Sequence, residues 1–250
     1  MQITLDKNIF KDQFLTPISK VIGDDDSNKG CIINIDPNSV NCLCNTKGGE
    51  VILNATLTTL TGLASAEQTH LNIFDLRKFM KLLDCIPIDQ ITLNLNSNHL
   101  AYTSPQISFK FHLMDDGVIR KSVVNVEKIN KLIFDTEFVI SNTKLEETLR
   151  AASFTEDSNK IYLYCSNGEV YGDLTDKTKP NVDSVNIQLS KALLGNPFTN
   201  IPISLDVLRK FMGIKFQDLN VKVNTQSKIL LLELSNNNCI LKYVATALVK

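Results

Sequence analysis

The sequence has no tryptophan, and aromatic residues make up only 7% of its 250 positions. A protein that holds single-stranded nucleic acid by base stacking needs a row of flat side chains, so that class is disfavoured. The three histidines, His70, His99 and His112, lie far apart in the chain. Six cysteines (Cys31, Cys42, Cys44, Cys85, Cys165 and Cys239) are scattered without a CxxC pair. Cys42 and Cys44 would share one face of a strand, but one pair does not make a metal site. Reduced, mostly buried thiols are the expectation. GxSxG, GxxxxGK[ST] and GxGxxG are all absent, which removes the nucleophile elbow and the phosphate-cradling loops. Nothing calls for an enzyme, a cofactor or a metal.

Long apolar runs are missing too. No segment approaches the ~18 residues of a membrane span, and MQITLDKNIF has no secretory apolar core. A cytoplasmic or nuclear protein without a membrane partner is expected. Net charge is −1, with 43% hydrophobic and 21% charged residues, as in ordinary globular chains. Bulk charge therefore gives no sign of nucleic acid, although a neutral total can hide separated faces.

What is present is repetition. LRKFM occurs at Leu76–Met80 and again at Leu208–Met212, an offset of 132; DSNK occurs at Asp26–Lys29 and Asp157–Lys160, an offset of 131. The surroundings correspond as well. In the first copy MQITL alternates as a strand, Asp6 can cap a helix over 7–15, and Thr16–Pro17 should end it. CIINI, SVNCLC and EVILNATL follow as strands, then HLNI, a helix over 73–84, ITLNLN and ISFKFHL. In the second copy EFVI leads to a Thr143–Glu146 capping box and a helix over 144–153. IYLYC, GEVYGDLT, VNIQL and IPIS follow, then a helix over 205–215, LNVKVN, ILLLEL and CILKYVA. Asn72 and Ser204, 132 apart, are expected to cap the two LRKFM helices, and Cys165–Gly168 should turn a hairpin. The fold class is α+β: two tandem similar domains, 1–115 and 135–250, joined by a polar connector over 116–134.

The four helical segments carry ten basic residues: Lys7, Lys11, Arg77, Lys78, Lys81, Lys144, Arg150, Arg209, Lys210 and Lys215. They carry six acids, so the helices sum to +4 and the remainder of the chain to −5. Solvated amphipathic faces would explain any one helix. The recurrence of the basic pair at the same phase points further, to a lining that attracts duplex phosphates without reading bases.

NIFDLRKFMKLLDCI, LEETLRAASFTEDSNKIYLYCSNGEVYGDLT and CILKYVATALVK resemble segments of the DNA sliding clamps, of the T-even bacteriophage type and of proliferating cell nuclear antigen. The resemblance runs over nearly the whole chain without an invariant motif. It implies a head-to-tail homotrimeric ring of six similar domains around duplex DNA, a replicative DNA polymerase tethered for processivity, and loading by an ATP-dependent clamp loader. It implies subunit edges near Ile107–Leu113 (Ile107, Phe109, Phe111, Leu113) and Glu169–Thr178 (Val170, Gly172, Leu174). It also implies a partner-peptide pocket at Cys44, Val118, Ile119, Val123, Val124, Val244 and Ala245. A phage origin would place the protein in host bacterial cytoplasm. Two other classes stay open: an open-face processivity factor of herpesvirus type, and a two-domain adaptor with no DNA role.

Overall fold

The structure is a computed structural model that describes residues 1–23, 29–37, 39–58, 62–63, 69–119, 122, 129, 131–155, 159–195 and 197–248. The chain divides into two compact units, Met1–Val124 with Ser235–Leu241, and Asn125–Leu234 with Lys242–Lys250. Of the connector 116–134, positions 120, 121, 123–128 and 130 lie outside the described residues.

In the first unit β1 (Gln2–Asp6) runs into helix, and the Asp6 carboxylate accepts the Ile9 amide at 2.9 Å. The helix does not stop at Thr16–Pro17. A π-helical segment, Ile9–Leu15, passes directly into α1 (Thr16–Ile22). The expectation of a break fails for a local reason. The Thr16 amide bonds back to the Lys11 carbonyl, five residues away, so Pro17 enters in the first turn of a new helical register, where a missing amide is tolerated. The Gln13 carbonyl takes the Cys239 thiol instead, at 3.4 Å. Phe10, Phe14, Leu15, Ile18 and Val21 of this helix are buried.

The order continues with β2 (Cys31–Asp36), β3 (Ser39–Asn45), β4 (Val51–Leu57), β5 (Gly62–Leu63), β6 (Thr69–Ile73), α2 (Leu76–Asp84), β7 (Gln90–Leu95), β8 (His99–Thr103) and β9 (Ser108–His112). One sheet has the order β5-β1-β7-β8-β9 and the other β4-β3-β2-β6, all antiparallel. β2, β3 and β4 alternate buried and half-buried positions without a break, the mark of sheets with one face on a core. Cys31, Cys42 and Cys44 all lie on that buried face.

In the second unit come β10 (Thr136–Ser141), α3 (Asn142–Ala151), β11 (Lys160–Ser166), β12 (Glu169–Leu174), β13 (Val185–Gly195), β14 (Phe198–Ser204), α4 (Leu205–Arg209), β15 (Asp218–Asn224), β16 (Ile229–Ser235) and β17 (Cys239–Thr246). β13-β12-β11-β14 repeats the order β4-β3-β2-β6, and β10-β15-β16 repeats β1-β7-β8. The duplication read from two short words is thus a duplication of topology. The eleven-residue β13 does the work of β4 and β5 together. It pairs with β12 over most of its length and with β10 only at Ala192–Gly195, as β5 pairs with β1. Asn167 (φ 53°) and Gly168 (φ 76°) turn the β11–β12 hairpin, the two positive φ values that a two-residue loop requires.

Helix starts differ from expectation. α3 begins at Asn142 with Ser141 as its cap, its hydroxyl accepting the Lys144 amide at 3.2 Å, not at a Thr143 capping box. Ser204 does cap α4. Asn72 caps nothing: it lies buried in β6, and Asp75 accepts the Lys78 amide at 2.9 Å to start α2. α4 is also shorter than 205–215. Beyond Arg209 the chain tightens into three-residue bonds, Phe211 to Leu208 and Met212 to Arg209, until Gly213 takes φ +71°. Only one residue type enters that conformation freely. Among the described residues no helix is long and apolar enough to cross a membrane.

Candidate nucleic-acid interface

α2 separates its faces cleanly. Leu76, Phe79 and Leu83 are buried, and the Phe79 ring meets Phe111 at 5.0 Å and Phe10 at 6.4 Å. Arg77, Lys78 and Lys81 are exposed on the opposite side. Aromatic packing beneath thus fixes the helix while its cations face solvent.

The other proposed contacts are not equivalent. Lys7 is buried, its ammonium donating to the Ile86 carbonyl at 2.6 Å, so it leaves the set of exposed cations. Its apolar stem covers the core while its head satisfies a backbone acceptor. Lys11 pairs with Asp84, and that hydrogen bond raises its pKa. Lys20, brought onto α1 by the continued helix, is half-buried with its pKa lowered by burial. In the second unit Lys144 pairs with Glu147 at 2.6 Å, a hydrogen bond that lowers the Glu147 pKa. Arg209 pairs with Asp206 at 2.8 Å and also donates to Asn159. Burial pushes the Asp206 carboxyl up, but those two partners outweigh it and hold it low. Arg150 and Lys215 are exposed and Lys210 is half-buried; Lys215 lies beyond the end of α4.

Sheet edges can be read from the hydrogen bonds that flank them. The Leu113 amide donates to Asn98 and the Ser104 amide to Ile107, both at 2.9 Å. Hydrogen-bonded pairs alternate along an antiparallel ladder, so Phe109 and Phe111 also turn their backbone groups toward β8. Ser108, Lys110 and His112 turn theirs outward, because β9 ends its sheet. Ile107, Phe109, Phe111 and Leu113 therefore hold the strand in place, and the even-numbered residues form the open edge. That assignment needed the register, which alternation alone does not give.

β12 corrects the second expected edge. β11 lies on one side and β13 on the other, Val170 and Leu174 are fully buried, and Gly172 sits where a Cβ would come within 2.5 Å of Ile161. The strand with an open side is its neighbour: among the described residues, Val185–Lys191 of β13 pair only with β12. A surface groove of about 530 Å³ runs along Asn186–Lys191 beside Lys144, and Leu193 and Leu194 are exposed at the strand's end.

Of the expected peptide-pocket residues, Cys44, Ile119, Val244 and Ala245 are buried and Val118 is 57% exposed. Val123 and Val124 lie outside the described residues. Asp116, beside that stretch, accepts from Asn72 at 2.8 Å and meets the His70 imidazole at 2.7 Å, while the Met114 amide donates to the Asn72 carbonyl. The start of the connector is thereby tied to β6. Among the described residues no group of three or more His, Cys, Asp or Glu side chains could hold a metal ion.

No protein-family model and no curated protein sequence matches the chain. Solved structures do. The A. fulgidus PCNA, in a structure titled for the C-terminal region of FEN-1 bound to it, aligns over 100% of this chain and 98% of its own with TM-score 0.77 and 12% identity. The Proliferating Cellular Nuclear Antigen of Entamoeba histolytica aligns over 99% and 98% with TM-score 0.76 and 14% identity. At such identities the likeness is one of fold, and the fold of this chain, two tandem α+β domains with helices on antiparallel sheets, is that of proliferating cell nuclear antigen.

Proposed function

We propose that this protein is a sliding clamp: three copies close head to tail around duplex DNA and keep a DNA polymerase on its template. The observation that carries the reading is the pair of unlike open edges, β9 in the first unit and Val185–Lys191 of β13 in the second. They occupy different places in the duplicated fold, so a contact between them on neighbouring copies is heterologous, and a heterologous contact whose rotation closes makes a ring. Each joint would extend one sheet into the next by strand addition. Side chains of Phe109 and Leu193 would be covered there.

The basic helices would then meet phosphates loosely, through charge alone, so the ring slides while closure prevents escape. Loading onto closed duplex requires the ring to be opened, the task of an ATP-dependent loader. Val118, Ile119, Val123, Val124, Cys44, Val244 and Ala245 are the residues proposed to meet short apolar peptides of polymerase and other factors. The bound FEN-1 region in the A. fulgidus structure is the parallel for such a dock. The domains proposed for this role are 1–115 and 135–250, with 116–134 between them, and the protein contributes no chemistry of its own.

Light scattering over a range of concentrations tests the ring. A mass near three chains is expected, and one chain at every concentration, with or without DNA and loader, would sink it. A salt series tests the lining. Arg77→Ala, Lys78→Ala, Arg209→Ala and Lys210→Ala combined should weaken clamp-dependent synthesis most at low salt and make its salt dependence shallower, and an unchanged series would remove these residues from the DNA contact.

A further inference from the structure

His99 and His112 stand thirteen positions apart in the chain, but the β8–β9 hairpin sets them directly opposite each other. Hydrogen-bonded and non-hydrogen-bonded pairs alternate along the ladder. The Leu113 amide donates to Asn98, so the next pair, His99 with His112, is a non-hydrogen-bonded one. In such a pair the Cα atoms stand only about 4.5 Å apart and the side chains lie closest. Both rings leave the sheet on the side away from the core, since their neighbours Leu100 and Phe111 are buried. His99 is half-buried and His112 exposed. Their ring centroids are 6.0 Å apart, with an angle of 52° between the planes.

Two side-chain amides fix the state of His99. The Asn98 oxygen can only accept, so at 2.9 Å it takes the proton on Nδ1. The Asn96 nitrogen can only donate, so at 3.1 Å it points at a lone pair on Nε2. His99 is therefore the neutral tautomer with a basic Nε2. Imidazoles that bind metals are oriented in this way, by an acceptor on the nitrogen that does not coordinate. The spacing also fits. A metal–nitrogen bond of about 2.1 Å plus the radius of the ring puts a metal ~3.2 Å from each centroid. Two chelating imidazoles thus lie at most about 6.4 Å apart, and ~5 Å apart at a tetrahedral angle. The 6.0 Å between these rings falls inside that limit, and the exposed ring of His112 closes the rest by turning.

Charge decides the kind of cation. The next pair on the same face is Ala101 with Lys110, which brings an ammonium and no carboxylate. Calcium and magnesium need oxygen ligands, whereas neutral imidazoles suit zinc, nickel and copper. We infer that His99 and His112 form a two-imidazole site for a divalent transition-metal ion on the solvent face of the β8–β9 hairpin, with Asn98 as a positioning residue. Two protein ligands leave the other coordination positions to water, so the ion exchanges and is not locked in as in a four-ligand structural centre. The site stands on one hairpin of the first unit and does not depend on the clamp reading.

The probe is Cu(II), the divalent first-row ion that such sites hold most tightly. It is titrated by calorimetry into the full chain carrying Cys85→Ser, because the exposed Cys85 thiol would compete for it. Electron paramagnetic resonance of the bound copper then counts the coordinated nitrogens, and two from imidazole are expected. Asn98→Ala should cost about tenfold in affinity with the two-nitrogen spectrum kept, the lower end of what losing an orienting partner costs. Losing a ligand, in His99→Ala or His112→Ala, should cost about 100-fold or more. His112 is exposed, so its alanine variant should keep the circular dichroism of the parent. His70→Ala should bind copper as the parent does, since that imidazole is engaged with Asp116. Unchanged affinity in His112→Ala, a spectrum with one nitrogen, or an equal loss in His70→Ala would overturn the inference, whether or not the protein forms rings.

Discussion

A proline at Lys110 should separate assembly from folding. Lys110 lies at the centre of β9, and its amide and carbonyl point away from β8, as the flanking bonds of Leu113 to Asn98 and Ser104 to Ile107 require. Proline there removes a donor that the subunit itself does not use, and edge strands tolerate that loss. At a joint with β13 of the next copy, the same change deletes one backbone hydrogen bond and strands a carbonyl on the partner. A net bond is worth ~1 kcal/mol and a buried orphan acceptor costs roughly 1–3 kcal/mol more. The joint should therefore weaken by about 2–4 kcal/mol, on the order of 30- to 1000-fold in its dissociation constant. Light scattering would show the mass falling toward one chain at concentrations where wild type holds three, with Lys110→Ala close to wild type. Circular dichroism and the thermal midpoint should stay unchanged. A Lys110→Pro protein that keeps the wild-type mass curve would refute the placing of the joint on β9. One that unfolds would refute the reading of which backbone groups face β8.

Gly172→Ala tests the correction of β12 from edge to interior. The added methyl would come within 2.5 Å of Ile161 and 3.4 Å of Leu189, so urea unfolding should show a loss of about 1–3 kcal/mol; a neutral result would mean that the strand has the open side after all. Asp176 is held down to about 2 by the Thr178 hydroxyl and amide and by Lys160. A carboxyl depressed in the fold contributes stability above its unfolded value of ~3.9 and loses it as pH falls toward the folded one. The stability gap between wild type and Asp176→Asn should thus shrink from pH 5 to pH 3, and a gap constant over that range would show that the carboxylate charge is not what holds the loop.

Strand positions were open to sequence reading because alternation is enforced wherever one face meets a core, and β2, β3 and β4 keep it without exception. The same alternation cannot say whether a strand ends a sheet. Val170 and Leu174 read as well for an edge as for the interior they occupy, and only pairing moved the open side one strand onward to β13. β8 escaped notice because HLAYT is short and opens on the polar His99, directly after Asn98. Pro17 misled because a change of helical register, invisible in composition, removed the need for its amide. Lys7 misled because a long side chain on a helix can turn inward to a carbonyl. The cap at Asp75 in place of Asn72 shows the same limit: two good cap residues three apart leave the choice to the strand before them.

The first unit is not continuous in the chain. Ser235–Leu241 belongs to it, with Cys239 on the Gln13 carbonyl, Asn236 on the Gln13 side chain and Asn238 receiving the Thr58 amide. A ribosome delivers that segment only after Asn125–Leu234 of the second unit. Until then the first helix waits with an acceptor unfilled, and the first unit is completed only after most of the second has been made. A fragment cut at the connector would lack the same piece, so the two halves, alike in plan, are not two proteins that could be made apart.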